Sequence, residues 1–97
     1  MEIIGKIKLI EETQTFDSGF EKKQVIIITD DKYPQEVALY FSNKDINLLD
    51  DFKAAQQVKV FYNIRGKEFN GRYFVNLQGW KIQLMDEVEQ PQEEDMF

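Results

Sequence analysis

Two long runs of alternating side chains, joined by Asn70-Gly71, constrain the fold of this chain more than any other feature of its sequence. Polar and apolar residues alternate over 57–69 and again over 72–84, and a period of two is typical of β-strands. The dipeptide between the runs favours a tight turn, because both central residues of such a turn need positive φ. The sequence therefore predicts one long hairpin of two strands.

Three segments upstream of the hairpin also have strand patterns. Residues 2–12 alternate, and Gly5 is a place where such a strand can curl. Residues 20–29 begin polar and become a β-branched run, and residues 36–42 alternate again. We expect a strand in each segment. In the first strand, the two expected faces are Ile3, Gly5, Ile7 and Leu9 against Ile4, Lys6, Lys8 and Ile10.

One short helix is predicted between the third and fourth strands. Ile46, Leu49 and Phe52 recur at a spacing of three and make one apolar face over residues 44–52. Ser42 or Asn43 precedes this segment, and either residue type can cap a helix N-terminus.

The order of these elements predicts an all-β fold with one short helix. Three strands, a helix and two strands, with a curled first strand, is the order of the OB-fold, a five-stranded Greek-key barrel. Gly66 and Gly79 are placed where bulges or bends can help a small sheet to close. An SH3-like barrel would lack the helix, and the glycine bends disfavour an open α+β sheet.

Charge divides the chain into two parts. The sequence holds 12 basic and 18 acidic residues, and six of the acids and none of the bases lie in residues 86–97. We therefore predict a neutral OB-fold domain over 1–85 and a disordered acidic tail over 86–97. The tail ends on Met96 and Phe97. It is either an ordinary disordered end or a peptide that another protein holds by the final ring and carboxylate, steered by its acids.

Composition disfavours catalysis. The chain has no Cys and no His, which removes disulfides, thiolate nucleophiles, zinc sites of the usual kind and imidazole acid-base chemistry. We expect no enzymatic activity, no cofactor and no metal. The sequence also lacks both an apolar run near the ~20 residues of a membrane span and the pattern of a signal peptide. We expect a soluble, cytoplasmic protein without membrane contact.

Several segments resemble the bacterial single-stranded-DNA-binding protein family. Residues 36–43 (EVALYFSN), 57–65 (QVKVFYNIR) and 73–81 resemble the third, fourth and last strands of that family. Residues 93–97 resemble its acidic tip, except that Met96 stands where the family usually has Pro. More closely, the chain looks like a compact, largely uncharacterised group of such OB-fold proteins in bacteria and phages.

The resemblance implies binding of single-stranded DNA and docking of the tip to replication and repair proteins. Phe41 matches an aromatic residue that stacks on bases in the family, and Phe69 lies in the hairpin that carries another. Gln35 falls near a position where the family often has Trp, so one stacking platform is missing or has moved, to Tyr33 or Tyr40. The implied docking residues are Glu93, Glu94, Asp95, Met96 and Phe97.

The chemistry of single-strand binding indicates which residues to expect at the site. Exposed bases stack on aromatic rings and phosphates attract Lys and Arg, so the two residue types are interleaved on a sheet face. The hairpin tip over 65–72 fits best, whereas Trp80 also suits core packing, and Lys22 and Lys23 suit either the strand path or a solvated face. The predicted nucleic-acid-binding residues are Tyr40, Phe41, Tyr62, Arg65, Lys67, Phe69, Arg72, Phe74 and Trp80.

Two functions stay open at this stage. The first is a homo-oligomeric protein, dimer or tetramer, that binds and protects single-stranded DNA, and RNA as a further possibility, without sequence specificity and recruits replication, repair and recombination proteins through its tip. The second is a protein-interaction module without significant nucleic-acid binding. The neutral body counts against the first unless the bases converge on one face.

Overall fold

The computed structural model describes residues 1–85, and the predicted tail with its docking residues lies outside them. None of the helices in the described part is long and apolar enough to cross a membrane. The elements are β1 (Glu2–Ile10), β2 (Gln14–Thr15), β3 (Glu21–Thr29), β4 (Glu36–Ser42), a 3₁₀ helix (Asn43–Leu49), β5 (Gln57–Phe69) and β6 (Arg72–Leu84).

The strands close into a barrel. β1 pairs antiparallel with both β3 and β5, β3 pairs with β4, and β5 pairs with β6. A parallel bridge from Tyr40 of β4 to Gln78 of β6 completes the ring. Five strands in this order, with the helix between β4 and β5, form the OB-fold, which confirms the predicted fold class. The two-residue β2 pairs with the start of β3 and was not predicted.

The interior of the barrel is filled mainly by inward-facing residues of β1, β3, β4 and β5, at alternate positions as the period of two requires, and β6 adds the partly buried Leu77 and Ile82. The helix contributes two further apolar side chains that close one end of the core. The buried apolar residues are Ile7, Val25, Ile27, Leu39, Phe41, Ile46, Leu49, Val58 and Val60.

A bulge in β1 corrects one predicted face. The pairing of β1 with β3 shifts between Ile7 and Leu9, which leaves Lys8 as an extra residue. Because one extra residue reverses the alternation, Leu9 is exposed and Ile10 packs against the core. The prediction was the reverse: it placed Leu9 on the same face as Ile7 and Ile10 on the outer face.

The helix is a 3₁₀ helix and is shorter than predicted. Ile46 and Leu49 are buried on its inner side, and their spacing of three matches the three residues per turn of this helix type. Phe52 follows the helix but still packs against the core. Ser42 is the N-cap residue and makes no side-chain capping bond. Its hydroxyl instead accepts a hydrogen bond from the Gln78 amide at 3.0 Å.

The predicted hairpin forms with its full length and turn. Asn70 and Gly71 have φ of 54° and 77°, and the strands pair from the turn to Val58 and Leu84. One register shift, between Phe61 and Tyr62, makes Trp80 an extra residue beside Gly79. We call residues 63–78 the ribbon. Its two strands pair with each other, and its one strand pairing with the rest of the barrel is the bridge from Gln78 to Tyr40. Gly66 pairs regularly within it and marks no bulge.

Candidate nucleic-acid interface

A hollow of about 410 Å³ lies on the outer surface of β3 and β4, between the ribbon and residues 11–20, the segment that links β1 to β3. We call this hollow the groove. It is lined by Phe16, Ser18, Phe20, Lys22, Tyr40 and Asn76. The outer face of these two barrel strands and the two flanking loops form the surface on which OB-folds bind oligonucleotides.

A tight loop presents two aromatic rings at one wall of the groove. Asp17-Ser18-Gly19 reverses the chain, with Gly19 at φ of 91°. The Gly19 N–H donates to the Phe16 carbonyl at 2.8 Å, and the Phe16 N–H donates to the Phe20 carbonyl at 2.9 Å. The two rings lie 5.9 Å apart between centroids and are both exposed. This loop therefore offers a pair of stacking surfaces held by its own backbone.

The floor of the groove combines a ring with a cation. Tyr40 points outward from β4 because its neighbours Leu39 and Phe41 point into the core. The Lys22 ammonium of β3 lies 5.1 Å from the centroid of the Tyr40 ring. A base stacked on this ring would place its phosphate within reach of a positive charge, which is the combination that single-strand binders use.

The groove continues onto one face of the ribbon. Residues directly opposite one another on antiparallel strands share a face, and the pairs are Arg65 with Asn76, Lys67 with Phe74, and Phe69 with Arg72. Asn76 also lines the groove. We call this surface the basic face of the ribbon; it consists of Arg65, Lys67, Phe69, Arg72, Phe74 and Asn76.

Hydrogen bonds tie the base of the ribbon to the barrel. The Arg65 Nε–H donates to Gln78 Oε1 at 2.7 Å, and Gln78 Nε2 donates to the Ser42 hydroxyl. The guanidinium is thus held over the junction of β4, β5 and β6. Within residues 1–85, the three cations of the basic face form no ion pairs.

Two lysines elsewhere on the barrel are paired with acidic residues. Lys8 forms an ion pair with Glu36 at 2.8 Å, and Lys59 forms one with Glu2 at 3.2 Å. Convergence of basic residues on one face, the condition that the neutral body sets for DNA binding, is met by the three cations of the basic face together with Lys22 beside Tyr40.

A second aromatic cluster lies on the outer surface of β5 and β6. The Phe61 and Trp80 rings are 5.5 Å apart, and the ammonium groups of Lys59 and Lys81 lie 5.7 and 5.2 Å from the Phe61 centroid. Trp80 is 48% exposed and does not pack in the core. It is two residues beyond Gln78 on β6, and neither ring of this cluster lines the groove.

The structure brings most of the predicted site residues together. Tyr40, Arg65, Lys67, Phe69, Arg72 and Phe74 lie in the groove or on the basic face, whereas Trp80 lies outside both, against Phe61. Two predictions are corrected. Phe41 is fully buried, with its ring packed against the Cα of Gly79, so it has no surface on which a base can stack. Tyr62 is half-buried and packs against the core.

Sequence reasoning missed the aromatic wall of the groove. Phe16 and Phe20 flank a polar turn, and two large rings in a polar link are a signal that could have marked them. Lys22 was given no clear role, yet it lies over Tyr40. Among residues 1–85, no group of acidic side chains is arranged to hold a metal ion.

Comparison with known proteins agrees with this architecture. The family model described as "Domain of unknown function (DUF3127)" matches residues 2–83, and no curated protein matches the sequence. The crystal structure of Rim1, a mitochondrial single-stranded DNA binding protein from S. cerevisiae, superposes with a TM-score of 0.73 at 19% identity, over 87% of this chain and 91% of that one.

A second solved structure is the dimeric N-terminal domain of PriB from Thermoanaerobacter tencongensis. Its TM-score is 0.65 at 13% identity, over 88% of this chain and 93% of that one. Both likenesses are at the level of the fold.

Proposed function

This chain belongs to the DUF3127 family, a domain of unknown function, and from its surface we propose that it binds single-stranded DNA without sequence specificity. The observation that carries the proposal is the continuity of the groove with the basic face. Phe16, Phe20 and Tyr40 offer rings, and Lys22 with the ribbon cations offers charge beside them. The fold it shares with the single-stranded DNA binding protein Rim1 supports the proposal.

The physical basis of the proposed affinity is stacking assisted by charge. A stacked base contributes roughly 1–3 kcal/mol whatever its identity, because every base has a π-face. A net charge of zero over residues 1–85 does not prevent binding, since the cations of the basic face are free of acidic partners within the described residues. The rings and phosphate contacts carry no base code, which is why we expect no sequence preference.

We further propose the biological setting that the sequence suggested. The protein covers single strands during replication, repair or recombination in the cytoplasm, acts as a homo-oligomer, and uses residues 93–97 to recruit partner proteins. RNA is a second ligand to test, because stacking and phosphate contacts do not require a deoxyribose.

The experiment is a fluorescence-anisotropy titration of a labelled oligo-dT with the full chain at low and moderate salt. We expect saturable binding that weakens as salt rises, because neutralised phosphates release counterions. A duplex of the same length serves as the control and should bind more weakly, because its bases are not free to stack.

Absence of oligo-dT binding at micromolar protein would refute the proposal. Equal affinity for duplex and single strand would refute the stacking mechanism and leave a general phosphate binder. An oligo-rU of the same length, titrated in parallel, measures the preference for DNA over RNA.

A further inference from the structure

The ribbon has a second face that the proposed DNA site does not use. Opposite the basic face lie Ile64, Tyr73 and Val75, which are 52%, 79% and 68% exposed. Leu77 extends this surface to the barrel core. Glu68, which pairs with Tyr73, is the one charged residue on this side of the ribbon. We call Ile64, Tyr73, Val75 and Leu77 the apolar face of the ribbon.

This arrangement is costly for an isolated chain. Two strands without a third strand or a packed face are marginally stable in water, and the ribbon bonds to the barrel only at Gln78. Its pairing nevertheless continues in register to the turn. A β-branched and aromatic strand surface that faces solvent indicates a covering layer.

We propose that the apolar face of the ribbon is the homodimer interface of this protein, with the ribbon of a second copy as its covering layer. The chain alternates apolar and charged residues so that every ribbon cation lies on the other face. Two ribbons packed through their apolar faces keep their cations apart on opposite outer surfaces. If the two ribbons instead packed through their basic faces, six cations would be brought together at the interface.

The area supports this occupant. One aromatic and two aliphatic exposed side chains, with the backbone around them, offer roughly 500 Å² per ribbon, so two ribbons bury about 1,000 Å² in all. That is near the lower bound for a specific interface. The dimer should therefore dissociate on dilution in the micromolar range, and it leaves both basic faces open.

The test is sedimentation equilibrium of the full chain without nucleic acid, from about 1 to about 100 μM, a range chosen for an interface of this size. Val75→Lys places a charge in the middle of the apolar face, and Gln83→Lys adds the same charge at an exposed position of the same strand outside the ribbon. We expect the unaltered chain and Q83K to reach the mass of two chains and V75K to remain at one. Circular dichroism establishes that each variant is folded.

Cysteine cross-linking provides a second measurement, since the chain has no native cysteine. With a short bifunctional thiol reagent, Val75→Cys should give a covalent dimer and Gln83→Cys should not. A single-chain mass for the unaltered protein over the whole range would overturn the proposal. A dimer that V75K does not weaken would overturn the choice of surface. Because no DNA is present, neither outcome depends on the proposed DNA binding.

Discussion

At the residue scale, Phe41 and Gly79 explain why one predicted stacking ring lies in the core. Phe41 is on β4 at a position whose parity points inward, and its ring fills the space left by the missing side chain of Gly79 on β6. The resemblance to a DNA-binding family placed an aromatic at this position but did not fix the side of the sheet it occupies. The alternation along β4 groups Phe41 with Leu39 and so indicates the inner face, whereas its contact with Gly79 on a distant strand is encoded by no local pattern.

The Gly79 position gives a prediction for stability. A Cβ at this residue would lie 2.5 Å from Phe41 Cζ and 2.7 Å from Cε1, which is closer than real atoms approach, so the ring or the backbone must move. We expect Gly79→Ala to lower the free energy of unfolding by about 1–3 kcal/mol, the usual cost of overpacking a core. Urea denaturation followed by circular dichroism measures the change.

A double-mutant cycle tests the cause. In a Phe41→Leu background the same alanine has more room, so its cost should be smaller than in the unaltered chain. An equal cost in both backgrounds would show that the glycine is needed for its backbone and not for the ring.

The groove rings give a prediction for binding. Phe20→Ala and Tyr40→Ala should each weaken oligo-dT binding roughly 5- to 150-fold, the equivalent of about 1–3 kcal/mol per stacked base. Anisotropy titration measures both. The matched control is Tyr33→Ala: this exposed aromatic, the alternative platform to Tyr40 in the sequence, lies beyond the far end of β3 from Phe20 and does not line the groove. Unchanged affinity in both groove variants, or an equal loss in the control, would exclude the groove as the stacking site.

At the element scale, the sequence predicted the hairpin better than it predicted the first strand. From the turn to Tyr62 and Gly79 the hairpin has a local cause, because Asn70-Gly71 selects the turn and the turn sets the register as far as the shift at Trp80. β1 has a bulge at Lys8 that depends on its pairing with β3. A period-two pattern read along one strand contains no information about its partner, so the faces of Leu9 and Ile10 were assigned wrongly.

The basic face gives a prediction at this scale. Lys67→Gln and Arg72→Gln each remove one cation from the ribbon, and each should make the slope of log K against log salt shallower by about 0.7, the value for one phosphate on a single strand. Titrations at four or more salt concentrations measure the slope. Lys53→Gln, an exposed lysine after the 3₁₀ helix, is the control and should leave it unchanged. Slopes that respond equally at all three positions would point to net charge instead of the ribbon.

At the scale of the whole molecule, the order of elements was sufficient to predict the barrel but not the assembly of the site. Few closed folds accept three strands, a helix and two strands, so the order nearly determined the topology. The groove instead depends on which loop lies against which strand after closure. Phe16 and Asn76 meet there although they are far apart in the chain. The two residues come close to each other only once the barrel has closed.

The distribution of charge over the whole chain leads to the last prediction. Residues 1–85 are neutral and all of the net charge of −6 comes from residues 86–97, so a phosphate chain approaching the protein is repelled by the tail. A chain ending at Met85 keeps every described element, and it should bind oligo-dT more tightly at low salt. The gain should shrink as salt rises, because at 0.1 M salt the repulsion between exposed charges more than about 10 Å apart is largely screened. Anisotropy titration at two salt concentrations measures the difference.

The control for this truncation is a full-length variant in which the six tail acids are replaced by their amides. If charge is the cause, this variant should match the chain ending at Met85, because it removes the repulsion and keeps the length. If instead truncation weakens binding while the amide variant does not, the tail contributes contacts of its own to the DNA site. The two variants together separate the electrostatic role of the tail from the role that we propose for its final residues in recruiting a partner, since only deletion removes Phe97.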